Sequence, residues 1–297
     1  MKTLVRKLFI FSLPFAVYAV VVVVIDPFDF FNVCHLISDE TKQRLSYRLN
    51  YRLWKMTAYR RQPSSNILLG DSRMEHLNVD YLRHRTGQEW ANLAYGGASM
   101  AEILERFHYA DNHTHLTNVC IGLNFNLFDR HKTNNQVRQV LSYQQNPLLY
   151  LCDRVVLKAC VLLLFDGVFG SVDNVETPPM DHDDFWVHQL EVTTQEVCRR
   201  YEYAPEFADS LRGIIAYCRD KRIAVNFIIF PEHEDLVARY SLYGREQEYR
   251  RFQDEIPALT RTYDFAARRE IIGNKELFSD PYHTINEVYL GIIDEIW

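Results

Sequence analysis

The sequence lacks every cysteine arrangement that typically binds a metal. Its six cysteines form no Cys-x-x-Cys pair and have no histidine partner at zinc spacing. Cys198 and Cys218 flank one helical stretch and could pair in an exported protein, whereas Cys120 lies in an apolar strand-like run and is predicted to be a buried thiol. We therefore expect no bound metal and no cofactor.

An excess of positive charge is also missing. The formal net charge is −6, and no run of like charges is long enough to suggest a polyelectrolyte tail. This balance argues against a nucleic-acid partner bound through a broad basic surface. The nearest approach to a basic patch is the stretch 41–61, predicted as one helix, whose cations either face water or contact anionic headgroups or an anionic glycan.

One long apolar run begins close to the N-terminus. Lys2, Arg6 and Lys7 precede the uncharged segment 8–25, which at about 18 residues reaches the lower end of the length that crosses a bilayer. Because the run ends in bulky Val-Val-Val-Ile-Asp-Pro, it favours an uncleaved signal anchor over a cleaved signal peptide. The basic flank predicts a cytoplasmic N-terminus, with the bulk of the chain in the periplasm or at the cell surface.

Short apolar strands alternate with helical stretches further along the chain. Such alternation predicts a mostly parallel sheet covered on both faces, an α/β three-layer αβα sandwich with the ligand site beyond the carboxyl ends of the strands. The predicted strands are 67–69, 89–94, 118–123 and 223–230.

The same pattern suggests a division of the chain. Residues 1–25 are expected to be a cytoplasmic stub and the transmembrane anchor, and 26–62 an aromatic and basic juxtamembrane helical segment. The α/β domain would occupy 63–297, interrupted by an insertion at about 130–203. Charged residues within the apolar stretch 148–169 argue against a second membrane span, so we expect a helical insertion packed on the sheet or against the bilayer surface.

The polar residues that follow the strands include the parts of a serine nucleophile site. A serine hydroxyl needs a base, which is best a histidine oriented by a carboxylate, and its oxyanion intermediate needs preorganised donors. Ser72 lies at a strand-to-helix turn, and Asp280 and His283 are close enough in sequence for one loop to carry both. Gly97, in a glycine turn, and Asn124, at a strand end, can supply N–H donors.

Four segments resemble, in order, the conserved blocks of the SGNH/GDSL hydrolase superfamily. They are Gly70-Asp71-Ser72, Asn92–Gly97, Gly122-Leu123-Asn124 and Asp280-Pro281-Tyr282-His283. Each motif alone is common, but four in order, each following an apolar strand, form a strong signal. The resemblance covers roughly 67–293 apart from the insertion.

The resemblance implies a role for each matching residue. Ser72 would be the nucleophile, His283 the general base and Asp280 its orienting acid, with Ser72 N–H, Gly97 N–H and the Asn124 side chain as the oxyanion hole. Two positions depart from the family pattern, since Arg73 replaces its usual leucine and Phe125 its usual aspartate.

Other polar residues near the strand ends have weaker assignments. The candidate substrate contacts are Arg73, Gly96, Asn126 and His233, although His233 could equally be a plain loop residue. Two polar groups imitate metal ligands but have no supporting pattern and are expected to be solvated loops. They are Asp111 with His113 and His115, and the run 181–184.

The implied activity is that of an extracytoplasmic, membrane-anchored O-acyl esterase or acyltransferase acting on a cell-surface glycan or acylated polymer. A single-span SGNH domain is similar to bacterial proteins of teichoic acid D-alanylation and alginate acetylation, which implies a membrane-bound O-acyltransferase as partner beside the lipid bilayer itself. Two alternatives stay open: a catalytically inactive glycan-binding or assembly subunit on the same fold, and a lipase or lysophospholipase.

Overall fold

The structure is a computed structural model that describes residues 2–169 and 180–297. The chain divides into two compact units. We call Met1–Arg61 with Gln136–Thr177 the helical unit, and Gln62–Asn135 with Pro178–Trp297 the sheet unit. Residues 170–179, which belong to the predicted insertion, lie outside the described residues.

The elements are numbered in chain order. The helices are α1 (Lys2–Ile25), α2 (Asp39–Ser46), α3 (Tyr51–Arg61), α4 (Ser72–Glu75), α5 (Val79–Thr86), α6 (Met100–His113), α7 (Val137–Gln145), α8 (Pro147–Leu151), α9 (Arg154–Phe169), α10 (His182–His188), α11 (Thr194–Arg200), α12 (Pro205–Lys221), α13 (Glu234–Leu242), α14 (Glu246–Glu255), α15 (Arg269–Ile272) and α16 (Asn286–Ile296). The strands are β1 (Asn66–Leu69), β2 (Ala91–Asn92), β3 (Asn118–Leu123), β4 (Ala224–Ile229), β5 (Thr262–Asp264), β6 (Phe278–Asp280) and β7 (His283–Thr284).

Within the described part of the chain, α1 is the one helix long and apolar enough to cross a membrane. The stretch Leu4–Ile25 reaches a mean hydropathy of 2.8. It contains Pro14, which membrane helices tolerate. A signal sequence near an N-terminus has the same length and composition, so the orientation given above stays a prediction.

The turn that follows α1 is held by a buried carboxylate. Asp26 accepts the backbone N–H groups of Phe30, Phe31 and Asn32 at 2.7–2.8 Å. It also accepts the hydroxyl of Tyr150 at 3.1 Å, and Phe30 stacks on the Tyr150 ring with centroids 4.4 Å apart. This aromatic segment therefore packs into the core of the helical unit.

Several basic side chains of the predicted 41–61 helix form ion pairs inside the helical unit. The helix itself is broken between α2 and α3. Lys42 is buried and contacts Asp29 at 2.5 Å, and Arg61 contacts the same carboxylate at 2.6 Å. Arg44 binds Asp166 with two hydrogen bonds of 2.7 and 2.8 Å. These three cations are therefore already neutralised within the unit.

The sheet unit has an α/β fold, which confirms the predicted class. Its five strands are all parallel and are ordered β2-β1-β3-β4-β5. β6 and β7 form a separate short antiparallel pair. Four predicted strands correspond to β1–β4, whereas the short and half-exposed β5 was not predicted because it contains no apolar run.

Helices cover both faces of the sheet. The chain passes through α5 from β1 to β2 and then through α6 from β2 to β3, so these two connections run in opposite directions along the sheet. Because both crossovers are right-handed, α5 and α6 lie on opposite faces. α16 joins α5, where the Tyr81 hydroxyl donates to Asp294, and α12 joins α6, where Phe107 packs edge-on against Tyr217. Under α5 and α16 lies a buried apolar cluster that includes Leu68. The strand ends are thereby fixed between two rigid layers.

All six cysteines are free thiols. Cys120 is buried, as predicted, and burial raises the pKa of its thiol. The pairing of Cys198 with Cys218 that the sequence left open is absent, and both are buried in α11 and α12 respectively.

Candidate active site

The nucleophile candidate lies at the tight turn between β1 and α4. Asp71 caps α4, because its Oδ1 accepts the backbone N–H of Arg73 at 3.1 Å. Ser72 is the first residue of the helix, so its own N–H is one of those left unpaired by the helical hydrogen-bond pattern. The turn therefore presents the Ser72 hydroxyl and N–H together at the carboxyl end of the central strands.

Two glycines make this turn sterically feasible. A Cβ atom at Gly70 would lie 2.7 Å from the Cβ of Met74 and 3.1 Å from the carbonyl oxygen of Gly122. A Cβ atom at Gly122 would lie 2.9 Å from the same Met74 Cβ and 2.9 Å from the Phe230 ring. The glycines of the first and third motifs are therefore required because β1, β3 and α4 approach one another so closely.

Ser72, His283 and Asp280 form one hydrogen-bonded chain. The Ser72 Oγ is 2.7 Å from the His283 Nε2, and the His283 Nδ1 is 2.7 Å from the Asp280 Oδ2. The second oxygen of Asp280 accepts the backbone N–H groups of Tyr282 at 2.8 Å and His283 at 3.1 Å. The β6–β7 turn thus brings Asp280 and His283 to Ser72, which lies more than 200 positions earlier in the chain.

The charge state of Asp280 suits this geometry. Burial raises the pKa of its carboxyl, but the hydrogen bond and charge of His283 and the two backbone N–H groups outweigh burial and leave the pKa below its usual value. An ionised carboxylate can only accept a hydrogen bond, so the His283 Nδ1 carries the proton and Nε2 is left to accept one from Ser72. The arrangement is that of a nucleophile, a base and an orienting acid.

The candidate oxyanion donors lie around the same turn. The Asn124 amide nitrogen donates to the Asp71 Oδ2 at 2.6 Å, which uses one of its two N–H bonds and fixes the side chain beside the Ser72 turn. Gly97 has a left-handed φ of 71°, and among the described residues other than its two chain neighbours nothing lies within 4 Å of the position where its Cβ would be. That side of Gly97 is therefore open, and the oxyanion role of both residues stays a prediction.

Gly96, a candidate substrate contact, lies beside the serine. A Cβ built on it would be 3.8 Å from the Cβ of Ser72. Its N–H donates to the Glu75 Oε2 at 2.8 Å, which ties the glycine turn to α4. Asn126 lies in the 3-10 turn Phe125–Phe128 that follows β3, and its side chain is half-buried.

Arg73, another candidate substrate contact, is turned into the interior instead. Its side chain is 2% exposed and forms an ion pair with the Glu232 carboxylate at 2.8 Å. Its Nε donates to the carbonyl oxygen of Tyr282 at 3.1 Å. Arg73 therefore links the nucleophile turn, the end of β4 and the loop that carries His283, and this buried pairing leaves no surface for a substrate.

His233 is likewise buried. Its Nδ1 accepts the backbone N–H of Asp235 at 3.1 Å, which caps α13, and its own backbone N–H donates to the Pro281 carbonyl at 3.1 Å. The ring packs edge-on between Trp186 and Phe278. Burial lowers the pKa of the imidazole, which favours the neutral form that the cap requires. Of the two interpretations of His233, the structure favours the loop residue.

Lys132 was not among the predicted site residues, although its ammonium group acts on the charge of Asp71. Burial lowers the pKa of its ammonium group, while the negative charge of Asp71 acts to raise it. In turn Arg73, Lys132 and His283 outweigh burial and keep the pKa of Asp71 below its usual value. No motif around Lys132 marked it in the sequence, because it lies beyond the 3-10 turn that follows β3 rather than at the strand end.

The two polar groups that imitate metal ligands are used within the fold. Asp111 accepts the hydroxyl of Tyr217, and the His113 Nδ1 is 2.7 Å from the Tyr109 carbonyl. Asp181 caps α10, and Asp183 accepts the Lys275 ammonium at 2.8 Å. Within 2–169 and 180–297, no group of three or more His, Cys, Asp or Glu side chains could hold a metal ion.

Comparisons with known proteins add little to this geometry. No known protein family matches the sequence, and no curated protein matches it. Among solved structures, one provisionally named as a platelet activating factor from Streptococcus pneumonia is similar at 12% identity and a TM-score of 0.43. That match covers 86% of this chain and 94% of the other. A similarity at this level does not identify a function.

Proposed function

We propose that this chain is a membrane-anchored serine O-acyl esterase or acyltransferase that works through an acyl-serine intermediate on Ser72. The observation that carries the proposal is the hydrogen-bonded chain from the Ser72 Oγ through His283 to Asp280, with both links at 2.7 Å. The same three residue types recur on unrelated folds wherever a serine hydroxyl attacks an acyl group.

The first half of the reaction transfers the acyl group to the enzyme. The Ser72 Oγ attacks the carbonyl carbon of the substrate while its proton moves to the His283 Nε2, and Asp280 stabilises the imidazolium that forms. The oxyanion accepts hydrogen bonds from the Ser72 N–H, the Gly97 N–H and the free N–H of the Asn124 amide. The intermediate collapses as His283 returns the proton to the leaving alcohol, which leaves an ester on Ser72.

The second half consumes that ester. A water molecule or a sugar hydroxyl enters where the alcohol left, and His283 takes its proton as the oxygen attacks the acyl carbon. The bond between the acyl carbon and the Ser72 Oγ then breaks, and His283 returns the proton to that oxygen, which restores free Ser72. With water the product is a free acid, and with a sugar hydroxyl it is an acylated glycan. The triad performs both reactions, so the acceptor depends on what reaches the acyl-enzyme.

The proposed setting follows from α1 and its flank. Lys2, Arg6 and Lys7 lie at the N-terminal end of the helix, which favours an N-terminus in the cytoplasm and a sheet unit outside it. There we propose a cell-surface glycan or acylated polymer as substrate and a membrane-bound O-acyltransferase as partner. In this setting α1 keeps Ser72 near the membrane at which the partner delivers acyl groups.

The test uses the full chain in detergent or nanodiscs. Wild type should hydrolyse p-nitrophenyl acetate and be labelled covalently by a fluorophosphonate, whereas Ser72→Ala should lose labelling and at least about 10³-fold in rate. The matched control is Ser210→Ala, a helix-surface serine whose hydroxyl bonds only to the Glu206 carbonyl among the described contacts, and it should behave as wild type. Equal rates for wild type and Ser72→Ala would contradict the proposal and favour the binding or assembly subunit.

Hydrolysis and transfer are separated by a second measurement. The acyl-enzyme is formed from p-nitrophenyl acetate in the presence of an oligosaccharide, and the products are weighed by mass spectrometry. An oligosaccharide that is about 42 Da heavier carries one acetyl group in place of one hydrogen. That product indicates transfer of the acetyl group from Ser72 to a sugar hydroxyl. Acetate alone assigns the chain as an esterase toward that acceptor.

A further inference from the structure

Helix α9 is largely apolar, with three charged residues among its 16, namely Arg154, Lys158 and Asp166. One face is buried in the helical unit and consists of Val156, Ala159, Cys160 and Leu163. A second face carries Leu157, Val161, Leu164 and Phe165, at helical spacing, and these side chains are 41–51% exposed. Such an exposed apolar face is unusual on a helix that only water surrounds, because the outward faces of water-exposed helices are mostly polar.

The exposed apolar surface continues beyond α9. Leu148 and Leu149, in the preceding helix α8, are 65% and 45% exposed. Contiguous exposed apolar surface of this kind marks an interaction site for protein or membrane. The question is therefore what covers it.

The C-terminal half of α1 lies beside α8 and α9 within the helical unit. The Tyr18 hydroxyl donates to the carbonyl of Leu151, the last residue of α8, at 2.5 Å. An apolar cavity of about 500 Å³ lies between α1 and α9, and it is lined by Val20, Val21, Val24, Ile25, Leu36, Ile37, Leu163, Leu164 and Gly167. At 1.5 Å per residue, the α1 segment from Tyr18 onward extends about 12 Å, close to the thickness of one leaflet of the hydrocarbon core.

The charges of α9 are compatible with that depth. Asp166 is 13% exposed and is bound by Arg44 through two hydrogen bonds, so it is not an isolated buried charge. Arg154 and Lys158 lie toward the N-terminal end of α9, near Leu151 and therefore near the level of Tyr18, so in this orientation they lie deeper than Asp166. Their long side chains must extend along the helix to carry the charged ends toward the lipid headgroups. At 16 residues the helix has a length of about 24 Å, too short to span a bilayer.

We infer that α9 is a second membrane-embedded helix, which enters only the leaflet that surrounds the C-terminal half of α1. Acyl chains of bilayer lipid cover its exposed face and occupy the apolar cavity that it forms with α1. The occupant is lipid because the face is continuous with α1, the helix of the described chain that can cross a membrane. The inference rests on the anchoring role of α1 and is independent of the chemistry at Ser72.

The experiment measures the contact of α9 with lipid in the full chain. Cys34 and Cys152, which are solvent-accessible to some degree, are changed to serine, while the four buried cysteines stay. In this background Leu164→Cys or Phe165→Cys adds one accessible cysteine, which is labelled with the environment-sensitive fluorophore NBD, and the protein is reconstituted into phosphatidylcholine vesicles. Quenching is then measured with phosphatidylcholine that carries a doxyl group on its acyl chain.

Two reference positions set the scale. Val17→Cys reports α1, where Val17 is 55% exposed, and Leu242→Cys reports the C-terminal end of α13 in the sheet unit, where Leu242 is 67% exposed. The loss of NBD fluorescence at positions 164 and 165 should be within about twofold of the loss at position 17. NBD at position 242 should not be quenched. If either variant fails to fold, Leu157→Cys is measured in its place, and the same quenching is expected.

Three results would overturn the inference. Quenching at 164 and 165 as low as at 242, with red-shifted emission, would place α9 in water. Blue-shifted emission without quenching would show a protein surface, such as a second copy, over the same face. Absence of quenching at position 17 would contradict the anchoring role of α1. The result of the esterase test does not depend on that outcome.

Discussion

The helical unit and the sheet unit both bury carboxylates, and the partners of those carboxylates differ. Asp26 and Asp29 of the helical unit bind backbone N–H groups, a tyrosine hydroxyl and two cations, all within the unit. Asp280 of the sheet unit binds His283, whose other ring nitrogen contacts the half-buried hydroxyl of Ser72. A buried carboxylate can therefore stabilise the fold or orient a candidate base. The difference is whether its partners all lie in the core or include a residue that contacts the Ser72 hydroxyl.

The largest expected effect tests the chemical side of this comparison. His283→Ala removes the only base in contact with Ser72 among the described residues, so kcat/KM toward p-nitrophenyl acetate should fall by about 10⁴-fold or more. His84→Ala, an exposed helix position in α5, is the control and should keep wild-type activity. Full activity of His283→Ala with an unchanged Tm would show that the hydrogen bonds of Asp280 do not serve catalysis, as we expect for those of Asp26.

Asparagine substitutions give the most direct contrast between the units. Asp280→Asn replaces an acceptor by an amide and favours the wrong tautomer of His283, so kcat should fall by about 10³–10⁴-fold with little loss of stability. Asp29→Asn leaves the buried Lys42 ammonium without an ionised partner and should cost about 3–5 kcal/mol of unfolding free energy without changing kcat. The comparison would break if Asp29→Asn lowered kcat as strongly as Asp280→Asn.

Arg73 lies between the two classes, since its ion pair is buried but its side chain also contacts the loop that carries His283. Arg73→Met leaves Glu232 buried and unpaired and should lower the free energy of unfolding by about 3–5 kcal/mol in a denaturant titration. The double variant Arg73→Met with Glu232→Leu removes both charges and should recover most of that loss. If the single variant were as stable as the double, the ion pair would not be holding the loop.

The smallest expected effect concerns pH. Burial raises the pKa of Asp26, so its contribution to stability is greatest below about pH 3.8 and is lost as pH rises through the raised pKa. The pKa of Asp280 is lowered, so its contribution is present above about pH 3.8 and is lost as pH falls through the lowered pKa.

Denaturant titrations across this range measure both contributions. The stability difference between wild type and Asp26→Asn should grow as pH falls from about 6 to about 4, while the difference for Asp280→Asn should shrink below about pH 4. Both differences changing in the same direction would contradict the assignment of opposite roles to the two carboxylates.

The sheet and the triad were predictable from the sequence because their signals are local. β3 is an uninterrupted apolar run, and Asp280 and His283 stand close together with the spacing that one turn can deliver. β5 was missed because its register is set by β4 rather than by its own composition. Where a parallel strand is short and half-exposed, its neighbour determines it.

The partners of buried charges were not predictable. Arg73 was a candidate substrate contact, but Glu232 and Tyr282, each more than 150 residues away, bind it in the interior. In the same way, the helical unit joins the N-terminal segment to part of the insertion that the sequence suggested was separate. Contacts between distant segments depend on the whole fold, which no local pattern contains.

Met74 gives the Ser72 turn a constraint that should be visible in its evolution. Its Cβ lies within 3 Å of the positions where side chains at both Gly70 and Gly122 would begin, so shortening the methionine to alanine would relieve neither contact. Among related chains, glycine at 70 and at 122 should be retained wherever position 74 has any side chain at all. Sequence divergence around Ser72 is therefore expected at other neighbouring positions. To change the specificity, the loop at Gly97 should be varied before positions 70, 74 and 122.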